Sequence, residues 1–347
     1  MPIFSRSPTD RCRLLEECID ELSQSSNPHT NDKGQENVLK HATYIKEWLY
    51  GTTDKDIDHD KVHDIAIYFL ENDLTLKMLE FLHCISFEGK KCLSMIFNNL
   101  ISHSMGNREV FVEYCAQHLN IVNILIAGSC GNDFLIYGSM LRESIRLESM
   151  LRLVLNCEAV WIIFDSVLTS EFDRSSDSFE TLKCLHMNHR KVICEWVFSN
   201  YDSDREYTWI KCIRKLLNSD NFVIKLQILE LLSKFLLQKK NIQVMKLFSK
   251  DIHNLKLIMM NLISKSKRIQ LLSFDIFKCF IANPEKPLAV KKVLARNYEK
   301  LITTFNEIEL PNDDLIERER RMLIDEIEKN AAEMVDITSP KDETEDN

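Results

Sequence analysis

The sequence is poor in the two residues that break helices and make tight turns. It holds 7 glycines and 7 prolines in 347 residues, with no proline between Pro28 and Pro284. Average usage is about 7% Gly and about 5% Pro. A sheet protein needs turn residues roughly every 8–12 positions, so this scarcity excludes a sandwich or barrel and predicts an all-α chain with short connections. A long apolar run is also missing. The most apolar stretch, Leu151 to Leu168, is interrupted by Arg152, Glu158 and Asp165, which is too polar for a membrane span. The N-terminus, MPIFSRSPTDRCRLLEE, has neither the apolar core nor the cleavage site of a secretory signal. The 11 cysteines are scattered, odd in number and never paired as Cys-x-x-Cys, which reads as free buried thiols of a reducing compartment. The expectation is a soluble, cytoplasmic protein with no membrane partner.

Catalytic signatures are absent too. There is no Walker loop, no G-x-S-x-G elbow and no kinase glycine-rich loop, and Gly128, Gly131 and Gly138 do not make a dinucleotide fingerprint. The chain therefore reads as no enzyme, with no cofactor. Asp54, Asp56, Asp58 and Asp60 invite a calcium reading. An EF-hand loop starting at Asp56 needs Gly at 61 and Glu at 67, where Lys61 and Ile67 stand; starting at Asp54 it meets His59 and Ile65. The aspartates read instead as a solvated loop leading into a helix cap. His59 and His63 around Asp60, and Cys184, His186, His189 and Cys194, lack spacings that close a tetrahedron. No metal is expected.

What is present is helical periodicity. From Asn254 to Lys286 two helices flank the basic turn Ser264–Arg268. Leu255, Ile258, Met259 and Leu262 form one stripe; Ile269, Leu272, Phe274, Ile276, Phe277 and Phe280 form another. Such a pair cannot bury its seam alone. Comparable blocks recur at Ser94–Leu100, Gly138–Ser144, Ser178–Leu182, Ile228–Leu232 and Ser273–Phe277, with starts 44, 40, 50 and 45 residues apart. A period near 45, built of two or three helices, is that of armadillo/HEAT repeats. The architecture expected is an all-α, right-handed superhelix of such repeats, an α-solenoid over residues 1–310. The charged segment 311–336 reads as a capping helix and 337–347 as a disordered acidic tail. Ser23 to Asn37 reads as a loop.

The net charge of −9 is unevenly placed. Lys234 to Thr304 holds 15 Lys+Arg and 4 Asp+Glu, a balance of +11, leaving −20 elsewhere. A basic region on an acidic protein suggests a local anionic partner. Phe248, Phe274, Phe277 and Phe280 sit at core spacing rather than between the charges, which argues against a base-stacking surface. No nucleic-acid partner is expected.

Several blocks resemble a known family. They are Phe87-Glu88-Gly89-Lys90-Lys91 with Ile96-Phe97-Asn98-Asn99, Met140-Leu141-Arg142-Glu143 with Ile145-Arg146, Phe172-Asp173 with Ser176-Asp177-Ser178-Phe179, Asn254-Leu255-Lys256-Leu257, and Phe280-Ile281-Ala282-Asn283-Pro284. In this order, between Trp48 and Ile302, they are similar to the Mo-twenty-five scaffold family, also called calcium-binding-protein-thirty-nine. The resemblance implies a curved, non-catalytic scaffold that binds and allosterically activates a protein kinase or pseudokinase. Partners it implies are the STRAD-like pseudokinase in a ternary complex with a liver-kinase-B type kinase, and sterile-twenty type kinases. It also implies a pocket for a partner's terminal Trp-Glu-Phe motif, whose matching positions are Lys256, Met259, Arg296 and Lys300. An apolar floor for the rings and cations for the carboxylates suit such a tail. On the concave kinase-facing side Phe172, Phe222 and Lys239 keep the family's character. Leu226, Glu230 and Ile242 stand where the family has Arg, Lys and Phe, and the Lys-to-Glu change reverses a contact charge. The alternative reading is a repeat adaptor that tethers partners without activating a kinase.

Overall fold

The computed structural model describes residues 7–52, 56–103, 108–202, 205–309 and 314–338. Among them are twenty α-helices, numbered α1–α20 in chain order, and no β-strand. The chain is a helical-repeat solenoid, and it divides into two compact units, Met1–His189 and Arg190–Asn347. Both contain parts of the stretch 1–310. The one irregular repeat spacing, from Ser178 to Ile228, spans the boundary between them.

In the first unit the long helices α2 (Asp32–Tyr50), α5 (Phe87–His103), α8 (Phe134–Ser144) and α11 (Phe172–Met187) form a row, each packed on the next. A second row runs through α1 (Pro8–Gln24), α4 (Leu74–Phe81), α7 (Asn120–Ser129) and α10 (Val160–Val167). The helices α3 (His59–Glu71), α6 (Arg108–Gln117) and α9 (Glu148–Asn156) complete groups of three. The blocks that carry the sequence period therefore lie in the third helix of each group, not in the second of a pair.

Local chemistry sets the element ends. At the start of α1, Asp10 N–H donates to Ser7 Oγ at 3.1 Å and Ser7 N–H to Asp10 Oδ2 at 3.3 Å. This reciprocal box, with Pro8 in the first turn, fixes the entry. The buried stripe is Cys12, Leu15, Cys18, Ile19 and Leu22. The expected loop Ser23–Asn37 is shorter than its polarity implies. α1 runs to Gln24 and α2 already begins at Asp32, because the Asn31 side chain accepts the Gly34 N–H at 3.1 Å and caps the new helix. Gly51 ends α2 with a positive φ of 73°, a region open to glycine at little cost.

The second unit repeats the scheme. α14 (Phe222–Leu236), α17 (Lys267–Ala282) and α20 (Asp314–Thr338) form its row of third helices. The leading helices of the groups are α12 (Arg190–Ser199) with α13 (Trp209–Leu217), α15 (Ile242–Lys250) with α16 (Ile252–Leu262), and α18 (Leu288–Arg296) with α19 (Tyr298–Glu307). The helix pair read from Asn254 to Lys286 is α16 and α17, with α15 as the third member. Phe248, Phe274, Phe277 and Phe280 are all buried. Phe305 stands edge-on to Phe274 at 5.3 Å and to Phe277 at 5.4 Å, an arrangement favoured by the ring quadrupoles. The segment expected as a charged cap is α20, packed on α17, α18 and α19. Residues 311–313 and 339–347 lie outside the described residues.

One cross-helix contact in the first unit depends on a missing side chain. Arg142 on α8 holds Asp177 on α11 through two bonds of 2.9 and 2.8 Å, and donates to Thr181 Oγ1 at 2.8 Å. A Cβ on Gly138 would meet Asp177 Oδ2 at 2.3 Å. Gly138→Ala is expected to push the carboxylate off the guanidinium and to destabilise the fold by about 2 kcal/mol. Thermal or urea unfolding measures this; an unchanged midpoint would show that the pair tolerates displacement.

Candidate functional site

In the second unit, α16, α18 and α19 enclose a cavity of about 540 Å³. Lys256, Met259, Arg296 and Lys300, the four pocket positions expected from the sequence, all line it. They come from three helices: Lys256 and Met259 from α16, Arg296 from the end of α18, and Lys300 from the start of α19. Arg296 and Lys300, although four residues apart, do not share one helix. Asn297 intervenes, its Nδ2 donating to Val293 O at 2.8 Å while its carbonyl accepts from Leu301 N–H at 2.9 Å. One residue thus closes α18 and opens α19.

Sequence reasoning missed much of the apolar lining. Leu262 and Leu301 are buried in the floor, Val293 is half-buried, and Met260 and Ile263 stand 67% and 71% exposed at the rim. The signal was available as spacings of three residues: Met259–Leu262, Met260–Ile263, Val293–Arg296 and Leu301–Thr304. The first turn of α16 is pinned from beneath. Asp251 caps it by accepting the His253 N–H at 2.8 Å. Arg214 on α13 pairs with Asp251 and donates to Asn254 Oδ1 at 2.8 Å. Asn254, fully buried, donates to Phe248 O at 3.1 Å and to Tyr201 Oη at 3.1 Å. Lys256 and Met259 therefore stand on a held helix, as a preorganised site requires.

Part of the basic charge of this region is paired elsewhere. Lys278, Lys286 and Lys291 meet Glu319, Glu326 and Glu333 of α20 at 2.9, 3.2 and 3.1 Å. Those three glutamates are seven residues apart, on one face of the helix. Glu285 takes Lys246 at 3.5 Å and Lys250 at 2.7 Å, and Glu309 takes Lys267. Lys256, Arg296 and Lys300 are exposed, and no salt bridge engages them among the described residues. The pocket thus combines an apolar floor with three uncommitted cations.

A family model described as Mo25-like matches residues 3–330. The chain belongs to the Mo25-like family. Calcium-binding protein 39-like of Mus musculus is 33% identical over 333 residues, covering 94% of this chain and 97% of the relative. The Mo25-like protein of Schizosaccharomyces pombe is 31% identical over 330 residues, covering 94% and 99%. Protein HYM1 of Saccharomyces cerevisiae is 28% identical over 333 residues, covering 93% and 83%. Family membership supports a scaffold-type protein.

Of the positions assigned to a kinase-facing surface, Phe222, Leu226 and Glu230 lie four residues apart on α14, a single helical stripe. Phe222 is 52% exposed; Leu226 and Glu230 are half-buried. Glu230 is engaged by Lys234 at 2.7 Å and Arg268 at 3.4 Å. The Lys234 ammonium, and then Arg268, hold its carboxyl below the usual range. Lys239 lies in the 3-10 turn Lys239–Asn241, and Ile242 opens α15 at 47% exposure. Phe172 belongs to the first unit, where it opens α11 at 70% exposure. A further regularity escaped the sequence reading. Four third helices, α5, α8, α11 and α14, begin on phenylalanine: Phe87, Phe134, Phe172 and Phe222.

Asp58, His186, His189 and Cys194, singled out above, each make contacts within the fold. Asp58 caps α3, accepting the Lys61 N–H at 3.3 Å, with the Lys61 ammonium at 2.7 Å. Asp54 lies outside the described residues. Cys194 Sγ meets Lys240 O at 3.6 Å, and His189 Nε2 lies 2.8 Å from Arg146 O. Among the described residues no group of three His, Cys, Asp or Glu is placed to hold a metal ion. No single described helix is long and apolar enough to cross a membrane. His186 is buried with Nδ1 2.8 Å from Leu182 O, and burial pushes its pKa down to about 4. Because the folded value lies below the unfolded one of about 6.5, the unfolded chain binds the proton first. Stability is full above pH 6.5 or so and falls toward pH 4, by up to about 3 kcal/mol. His186→Gln is expected to flatten that acid limb in urea unfolding between pH 7 and pH 4; an identical slope would assign the acid sensitivity elsewhere.

Proposed function

We propose that this chain is a non-catalytic scaffold that binds a protein kinase or pseudokinase and holds it in its closed, active-like state. The partner class is STRAD-like or sterile-twenty type, and a ternary complex with a liver-kinase-B type kinase is part of the reading. Stabilising the closed state works through differential binding, since a scaffold shifts a kinase equilibrium only as far as it prefers one conformation. The observation that carries the proposal is the α16–α18–α19 pocket. Its volume suits one or two aromatic side chains, and its three uncommitted cations suit a glutamate and a terminal carboxylate. A broad polyanion surface is disfavoured, because the other lysines facing α20 and Glu285 already hold carboxylates. The scaffold acts in the cytoplasm on this reading and uses no cofactor or metal.

The half-buried Glu230, held by Lys234 and Arg268, favours a second reading. A committed negative charge on the α14 stripe, where the family resemblance places a lysine, suits a scaffold that tethers its partner without activating it.

A fluorescent peptide ending in Trp-Glu-Phe is expected to bind the full chain. Arg296→Glu should weaken binding by about 10- to 100-fold through loss of a charge-assisted contact, and Met259→Ala by about 10-fold. No binding by the unaltered chain would overturn the pocket assignment. In a kinase assay, stimulation by the unaltered chain supports the activating scaffold. Stimulation seen only after Leu226→Arg with Glu230→Lys supports the tether.

A further inference from the structure

The chain carries an acidic segment after its last helix. Residues 339–347, SPKDETEDN, carry Asp342, Glu343, Glu345 and Asp346 against a single Lys341. They follow directly on α20, which ends at Thr338. α20 is tied to the helix that supplies Arg296: Asn330 Nδ2 donates to Lys291 O at 3.1 Å, and Glu333 pairs with Lys291 at 3.1 Å. Lys291 precedes Arg296 by five residues of α18, about 7.5 Å of helix rise, and Thr338 follows Asn330 by eight residues, about 12 Å. Nine residues of extended chain reach about 30 Å, more than the roughly 20 Å these two rises make together. The tether covers the distance to the pocket mouth even if it must double back.

We propose that residues 339–347 are an intramolecular competitor for the pocket, occupying the charges of Lys256, Arg296 and Lys300 until an anionic partner peptide displaces them. The inference rests on the reading of the pocket as an anionic-peptide site. Charge complementarity selects this segment, since the cations of the pocket are uncommitted while those along α20 are paired. Attachment supplies what the tail lacks in apolar contacts. A short flexible tether gives an effective concentration on the order of 1 mM, so even weak intrinsic binding holds the site against a dilute ligand. A partner with aromatic side chains gains the floor of Met259, Leu262 and Leu301, which the tail, having no aromatic residue, leaves unfilled.

The test compares three proteins with the fluorescent Trp-Glu-Phe peptide: the full chain, the chain ending at Thr338, and the full chain with Asp342→Asn, Glu343→Gln, Glu345→Gln and Asp346→Asn. Truncation and neutralisation should each tighten binding by about 3- to 10-fold at low ionic strength, with the gain shrinking as salt rises. Equal Kd values for all three would overturn the proposal. A gain that grows with protein concentration would put the tail of a second copy in the pocket and overturn the intramolecular form. A second probe, a labelled synthetic peptide of residues 339–347, is titrated into the chain ending at Thr338 with and without Arg296→Glu. Binding lost with Arg296→Glu supports the proposal; no binding, or binding indifferent to the change, overturns it. This probe still decides the matter if the Trp-Glu-Phe peptide binds none of the proteins, an outcome that would sink only the partner assignment.

Discussion

A helix with one apolar stripe must hide it, and within each unit the third helix of a group hides it against its own group and against the third helix of the neighbouring group. Within the first unit that constraint links α2, α5, α8 and α11; within the second it links α14, α17 and α20. Glycine and proline are scarce for the same reason: a stack of helices turns corners with asparagine and aspartate caps, as at Asn31, Asp58 and Asp251.

What was legible in the sequence follows from what is local. Apolar spacing of three and four residues located the helices, and the recurrence of the same blocks gave the repeat. The number of helices in each group was harder to see, because α13, α15, α16 and α18 are each only two or three turns long and their connections carry no proline or glycine before Pro284. The cap at Asn31 was hidden by the polarity of the stretch around it. Hydropathy marks where a chain is dry, but a single side-chain oxygen decides where a helix begins.

The pocket was partly legible for a related reason. Lys256 and Met259 lie one turn apart on α16, and that much is local. Bringing Arg296 and Lys300 beside them needs the Asn297 junction, which is a tertiary arrangement. The sum of charges misled in a different way. Lys278, which also meets Asp275, Lys286 and Lys291 find carboxylates 41, 40 and 42 residues away, so a window counting charge sees a larger excess than the folded unit presents. Net charge over a segment describes a field only when its counter-charges are not folded back onto it.

The three glutamates spaced by seven along α20 have one more consequence. By engaging Lys278 of α17, Lys286 of the following connection and Lys291 of α18, the last helix acts as an electrostatic mask, leaving the exposed cations over the apolar floor uncovered. A mask of this kind improves discrimination without adding a single contact to the ligand, since an acidic chain drifting over the surface meets fewer decoys. On the proposed reading, selectivity at the pocket is built by a helix that contributes no residue to its lining.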